Sequence, residues 1–229
     1  MLQILFEDDY CIAVNKPPGL LIHRTKISED KVFLLQLLRD QIRMHLYTVH
    51  RLDRGTSGVV LFGKTPEFAA ALHHLFMEHK IEKMYVAIAR GWLPNSGRID
   101  YPLVDKELNQ LQPLEAVTNF KLQATSEIDT AIGLRYPTAR FSLLTLQPEH
   151  GRRHQIRKHL AHLRHPVIGD RRHGDVKHNN YFRDTAGVNR MLLHASKLTF
   201  IHPVTLESIC LKATTDDAFQ KALHFTGLA

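Results

Sequence analysis

Residues 50–79, HRLDRGTSGVVLFGKTPEFAAALHHLFMEH, place a polar turn, a buried strand and an amphipathic helix in immediate succession. Gly55 and Gly58 permit tight turning in the first nine residues. Residues 59–62 form a continuous apolar run of strand length. Thr65-Pro66-Glu67 then supplies a cap residue, a proline at the first helical position and an early acid, three signals that start a helix. Phe68, Leu72, Leu75 and Phe76 follow at helical spacing.

Working outward, residues 2–6 and 12–15 read as short strands joined around Asp8-Asp9, and Pro17-Pro18-Gly19 forces a turn before residues 20–23. Residues 29–46 carry Phe33, Leu37, Leu38 and Ile42 at the spacing of an amphipathic helix. Residues 83–90 alternate, with Met84, Val86 and Ile88 on one face and Tyr85, Ala87 and Ala89 on the other. Further strands are expected at 98–104, 117–124, 140–146, 198–202 and 208–213, with a closing helix over 215–224. Residues 170–189 are polar and Gly/Asn-rich and read as a loop, a candidate for ordering by a partner. With no repeat or low-complexity tract, the pattern is one α+β domain, residues 1–229, around a large sheet.

Composition narrows the class. Apolar residues make up 44% of 229, enough for a full core, and 12 Gly and 10 Pro exclude collagen-like or low-complexity chains. Two cysteines cannot build a disulfide scaffold, so Cys11 and Cys210 read as buried, reduced thiols. The amino terminus lacks a basic leader and turns acidic within seven residues. No apolar run approaches the ~20 residues of a membrane span. The expected location is the cytoplasm.

The net charge of +7 is concentrated. Residues 151–183 contain nine Lys and Arg (Arg152, Arg153, Arg157, Lys158, Arg164, Arg171, Arg172, Lys177 and Arg183) against two acids, Asp170 and Asp175, which leaves the rest of the chain neutral. Six of the 16 histidines also lie there. A basic block on a neutral body is the footprint of a polyanion partner, most often nucleic acid; the plainer alternative is a solvated basic surface.

Two stretches carry more polar chemistry than a core needs. Residues 50–58 put Asp53 between Arg51 and Arg54. A carboxylate so flanked is suited to act as an ionised nucleophile or base, or it closes a turn through its side chain. In residues 151–166, a helix would align Ile156, Leu160 and Leu163 in an apolar stripe with Arg153, Arg157 and Arg164 beside it. Phosphates, or a buried carboxylate such as Asp53, are natural acceptors for those guanidinium groups. Pro166 stops the helix near Arg164. His150, His154, His159, His162 and His165 make a poor metal set: no cysteine is near, cations are interleaved, and they do not share one helix face. No Gly-rich phosphate loop points to a nucleotide cofactor.

Residues 50–58 match the HRLDxxTSG signature of the RluA-type pseudouridine synthases, and residues 151–170 match that family's GRxHQIRxHLA…HPxxGD motif. Lys83-Met84-Tyr85 is similar to its K-x-Y. Asn15-Lys16-Pro17-Pro18-Gly19 resembles its NKPxG turn, and Leu192-Leu193-His194-Ala195 with His202-Pro203 resembles its carboxy-terminal motif. The matches run in the family's order from about residue 10 to about residue 203.

The resemblance implies the pseudouridine synthase fold: a large, mixed, mostly antiparallel sheet flanked by helices, with a central RNA-binding cleft. It implies isomerisation of a uridine in RNA to its C-linked isomer with no cofactor and no metal. Asp53 would be the nucleophile, Arg157 would pair with its carboxylate, and Tyr85 would lie against the target base. Arg51 would help hold the nucleotide out of the stack. RNA would be gripped by Arg51, Arg152, Arg153, Lys158, Arg164, Arg171 and Arg172. The expected organisation is a catalytic body from the first residue, with no preceding RNA-binding domain. Arg164 stands where many relatives have Gly, and residues 162–166 with 21–24 most resemble the branch that modifies uridine 65 of tRNA. A tRNA substrate, a monomer and no obligate protein or membrane partner are the matching expectations. The alternatives are a large-subunit ribosomal RNA synthase, a non-catalytic module for structured RNA, or a glycosidic hydrolase, which would need a second acid that does not stand out.

Overall fold

A computed structural model describes residues 1–23, 30–105, 110–133 and 136–229. Arg24, part of the run that resembles the tRNA branch, and Glu29, the expected start of the first helix, lie outside the described residues. In chain order the strands are β1 (Gln3–Glu7), β2 (Cys11–Lys16), β3 (Tyr47–Thr48), β4 (Ser57–Gly63), β5 (Glu82–Arg90), β6 (Ser96–Asp100), β7 (Leu103–Asp105), β8 (Gln110–Leu114), β9 (Val117–Ile128), β10 (Ala139–Pro148), β11 (Leu193–Ile201) and β12 (Ser208–Lys212). The helices are α1 (Leu34–Ile42), α2 (Pro66–Met77), α3 (Gln155–His162), α4 (Val176–Ala186) and α5 (Asp217–Thr226). The architecture is α+β, with mixed, mostly antiparallel strand pairing and helices packed on it.

The chain divides into two compact units, Met1–Lys83 with His194–Thr215, and Met84–Leu193 with Asp216–Ala229. In the first, the strand order is β1-β2-β4-β11, with β3 on β4 and β12 on β11. The β1–β2 turn is closed by Asp8, whose Oδ1 accepts from the Tyr10 N–H at 2.8 Å and the Cys11 N–H at 2.7 Å. Every residue of β4 is buried, which is why its sequence is continuously apolar rather than alternating. The β4–β11 pair is parallel, with His194 beside Ser57 and Ala195 beside Gly58. At Gly58 φ is +111°, and a Cβ would sit 2.1 Å from the Ala195 carbonyl oxygen, so no other residue fits. Helix α2 starts as its sequence demands: Thr65 Oγ1 accepts from the Phe68 N–H, and Pro66 occupies the first turn. Its Phe68, Ala69 and Leu72 pack with Cys11, Ala13, Val59, Leu61, Leu198 and Phe200 into one core.

In the second unit β5, β10, β9 and β6 form an antiparallel run. The alternation expected in β5 is present. Ala87 and Ala89, with Tyr85 packed against them, belong to a core that includes Leu144, Leu146, Ile156 and Leu160. Ile88, with Val86, belongs to a separate core that includes Phe141, Phe182, Ala186 and Phe219. Helix α3 thus covers one face of the sheet, and α4 and α5 cover the other.

Four expectations change. Helix α1 begins at Leu34, after a bridge between Leu21 and Phe33. The strand expected over 98–104 is broken, because Pro102 removes a ladder donor between β6 and β7. Residues 170–189 are not a loop but contain α4: Asp175 caps it, its Oδ1 accepting from the His178 N–H, and Gly187 ends it at φ +63°. Cys11 is buried, but Cys210 is exposed, since it lies on the opposite face of β12 from buried Leu211. Among the described residues no helix is long and apolar enough to cross a membrane.

Candidate active site

Asp53 sits half-buried in the turn that leads into β4, its carbonyl accepting from the Thr56 N–H at 3.1 Å. The turn is fastened from below by a lysine with no exposed surface. Lys16 Nζ donates to the carbonyls of Pro17 (2.9 Å), Leu20 (2.7 Å) and Arg54 (3.2 Å). A buried ammonium is tolerated only when its donors are satisfied in this way. The Arg54 carbonyl also accepts from the Gly19 N–H at 2.8 Å, while Arg54 Nε donates to the Gly19 carbonyl at 3.0 Å. The Asn15–Gly19 segment therefore holds the backbone immediately after Asp53 from both sides.

The far end of the turn is held by a buried relay. His194 Nε2 faces the Ala213 carbonyl at 3.0 Å and must donate to it, so Nδ1 accepts the hydroxyl of Ser57 at 2.8 Å. Arg51 is exposed, and Arg54 is exposed with its guanidinium on Asp30 at 3.0 Å. His50 stacks on Phe76, and its Nε2 accepts from the Leu61 N–H at 2.9 Å. Burial, with a smaller push from the Lys83 charge, drives this imidazole down to about 3. Burial also brings the Lys83 ammonium down to about 8.

The other two expected catalytic residues lie in the second unit. Tyr85 is half-buried near the start of β5, opposite Leu146 of β10. Arg157, on α3, is only 8% exposed and forks onto Asp170, with Nε to Oδ2 at 2.6 Å and Nη2 to Oδ1 at 2.7 Å. Asp170 is 1% exposed and also accepts from the N–H groups of Arg172 (2.9 Å) and His173 (3.0 Å). Burial works against its ionisation, but the Arg157 hydrogen bonds and charge, with those two N–H groups, outweigh it and hold the carboxyl below its ordinary range. Lys16, the Ser57–His194 pair and Asp170 were not singled out from sequence as supports of the site. The only signal was their place inside matched motifs, since each finds its partner through the fold.

The basic block is divided. Arg153 pairs with Asp105 at 3.1 Å, Lys158 Nζ donates to the Val104 carbonyl at 2.9 Å, and Arg152 Nε donates to the Glu115 carbonyl at 3.0 Å. These half-buried cations bind α3 to β7 and to the segment before β9. Arg164, Arg171 and Arg172 are exposed.

The histidines considered as metal ligands have other work. His150 Nδ1 accepts from the Val117 N–H, and His154 faces His173 at 3.0 Å. His159 Nε2 donates to the Tyr101 carbonyl while Nδ1 accepts from Thr118, and His165 Nδ1 donates to the Arg90 carbonyl. A different group, Asp8, Cys11 and His202, brings three ligand types together. It does not suit a cation. His202 Nδ1 accepts from the Val204 and Thr205 N–H groups, which leaves the proton on Nε2 facing Asp8. Burial, with Asp8 beside it, pushes the Cys11 thiol up to about 12.

The first unit thus offers a half-buried carboxylate on a locked turn, and the second a strand tyrosine and a guanidinium held by a buried acid. Residues 9–162 match the family model described as RNA pseudouridylate synthase. The chain belongs to the RNA pseudouridylate synthase family. It is 45% identical to the tRNA pseudouridine synthase C of Vibrio parahaemolyticus, over 96% of this chain and 93% of that protein. To the tRNA pseudouridine synthase C of Salmonella typhimurium it is 44% identical, over 97% and 89%. Among solved structures, human RNA Pseudouridylate Synthase Domain Containing 1 has a TM-score of 0.74 at 24% identity, covering 94% of this chain and 84% of that one, a likeness of fold. As a pseudouridylate synthase the chain is an isomerase.

Proposed function

We propose that this synthase converts a uridine of tRNA, uridine 65, to pseudouridine, with Asp53 as the nucleophile and no cofactor. The observation that carries the tRNA substrate is the 45% identity across nearly the whole chain to a protein named for it. Residues 162–166 and 21–24 favour uridine 65 by their sequence likeness to that branch.

In the reaction the N1–C1′ bond of the target uridine breaks, the uracil turns over, and a C5–C1′ bond forms; C5 gives up its hydrogen as a proton and N1 takes up a proton from solvent, so the product is an isomer. Asp53 opens the sequence from a turn that Lys16 and Gly19 keep in place, so little reorganisation is needed as the bond breaks. Tyr85 lies against the base, a stacking contact of about 1–3 kcal/mol that tolerates rotation of the ring. Arg157, steadied by Asp170, is the guanidinium of the catalytic set. Extruding the base costs a few kcal/mol, which phosphate contacts from the exposed Arg51, Arg164, Arg171 and Arg172 offset, whereas Arg152, Arg153 and Lys158, expected from sequence to grip RNA, are engaged with Glu115, Asp105 and Val104. The two compact units act as one catalytic domain, and the protein works as a cytoplasmic monomer.

Carbodiimide adduct mapping by primer extension on an unmodified tRNA transcript tests the substrate. The expected result is one enzyme-dependent stop, reporting position 65. Stops confined to a large-subunit ribosomal RNA fragment would overturn the tRNA reading and leave the chemistry standing.

A further inference from the structure

We propose that Asn179 of α4 is a positioning residue for the reaction: its amide brackets the Gly169–Asp170 turn and thereby sets the direction in which Arg157 is held. This rests on the reading of Arg157 as part of the catalytic set.

The argument starts at the carboxylate. Asp170 receives four hydrogen bonds, two from Arg157 and one each from the N–H groups of Arg172 and His173. Such a group points wherever its own backbone places it, and the guanidinium follows as a rigid fork. The backbone there is unusual. Gly169 has φ +79°, and a Cβ on it would lie 1.9 Å from the Arg190 carbonyl oxygen. A Cβ on Gly174 would lie 2.1 Å from the Asp170 carbonyl oxygen. At both glycines the backbone is thus packed too closely to carry a side chain, and the Asp170 carboxylate holds only the residues that follow it.

Asn179 supplies the hold from outside. Its Oδ1 accepts from the Gly169 N–H at 2.7 Å and its Nδ2 donates to the Asp170 carbonyl at 2.8 Å. One acceptor and one donor on a single short amide tie both ends of the two-residue turn, a pairing that among side chains of this length only asparagine provides. The amide is itself presented by a capped helix: Asp175 Oδ1 accepts from the His178 N–H, and the Asn179 N–H donates to the Asp175 carbonyl at 2.9 Å. Arg90 closes the assembly by an ion pair with Asp175. A run from Asn179 through Asp170 to Arg157 results, in which each link is a hydrogen-bonded pair.

Asn179→Ala removes both contacts, and Asn179→Asp keeps the acceptor but sets a carboxylate against the Asp170 carbonyl. Both variants are expected to lower kcat for pseudouridine formation on tRNA by about 10- to 100-fold, the cost of displacing a reacting group by a fraction of an ångström to an ångström. KM for tRNA should stay within about twofold, because no phosphate contact is removed. The control is Asn180→Ala, an exposed neighbour whose amide oxygen accepts from Arg183, and it should match wild type. A second readout does not depend on turnover: the Arg157 Nε–H resonance in 15N spectra, assigned through Arg157→Lys, should be sharp in wild type and broadened or lost in Asn179→Ala. An Asn179→Ala protein with wild-type kcat overturns the proposal, and so does one whose loss of kcat disappears at a temperature where it is as fully folded as wild type. If wild type makes no pseudouridine in tRNA, the functional reading falls; the Arg157 resonance then still judges the bracket, and its persistence in Asn179→Ala overturns it.

Discussion

Lys16 has no exposed surface, yet its ammonium finds three carbonyl partners, from Pro17, Leu20 and Arg54. Replacing it with Met would remove the donor from the Pro17 and Leu20 carbonyls, while the Arg54 carbonyl keeps the Gly19 N–H. A hydrogen bond from a charged group is worth about 1.5–3 kcal/mol, against the relief of no longer burying a charge. The expected net loss is about 2–4 kcal/mol in urea unfolding, with turnover falling further than the folded fraction does because the Asp53 turn loosens. Unchanged stability and turnover in Lys16→Met would contradict this role. The same residue shows the limit of sequence reading. Asp53 draws notice as a carboxylate between two arginines before a buried strand, but its role as nucleophile comes from the matched motif, since locally it reads equally as a turn-closing acid. Lys16 reads as an ordinary polar residue beside Pro17-Pro18-Gly19, because its partners at 20 and 54 meet it only once β2 and β4 have paired. Asp170 is visible as one of two acids in a basic block and as the end of a matched motif, and nothing local marks it as the partner of Arg157 thirteen residues earlier.

At the scale of elements, periodic segments were read well and polar ones poorly. Strand β5 and helix α2 carry their periods openly and appear as expected, within a residue or two at the ends. Helix α4 escaped because VKHNNYFRDTA offers only His178, Phe182 and Ala186 as buried positions, one per turn, among residues typical of loops. Its existence depends on ends and neighbours: the Asp175 cap, the Gly187 stop and the core around Phe141 and Phe219. Asp175→Ala should therefore cost about 1 kcal/mol for the cap and more for the stranded Arg90. Because α4 presents Asn179, it should also lower kcat. Chemical denaturation beside steady-state turnover checks both, and a variant as stable and as active as wild type would show that α4 is not the scaffold described.

Across the whole molecule the charge pattern separates into two jobs that composition cannot distinguish. Nine cations crowd residues 151–183, but Arg153 and Arg157 are spent on Asp105 and Asp170, and Arg183 forks onto Asp184. Arg164, Arg171 and Arg172 remain exposed at the surface. RNA affinity should then depend on few phosphate contacts. Arg171→Gln with Arg172→Gln is expected to flatten the plot of log affinity against log salt by about 0.7–0.9 per lost contact, whereas a slope equal to that of wild type would remove these residues from the RNA surface. The Lys83-Met84-Tyr85 motif also divides at this scale, with Lys83 in the first compact unit and Tyr85 in the second, a boundary that the unbroken strand pattern of β5 does not announce.

The central claim is that Asp53 isomerises uridine in tRNA, and tritium release from unmodified tRNA labelled at uracil C5 tests it most directly. That hydrogen is lost only when the base is rejoined through C5. Wild-type protein should release one tritium per target site, and Asp53→Asn should release none while binding the same tRNA. Release that survives in Asp53→Asn, or no release from tRNA by a wild-type protein that binds it, would contradict the account.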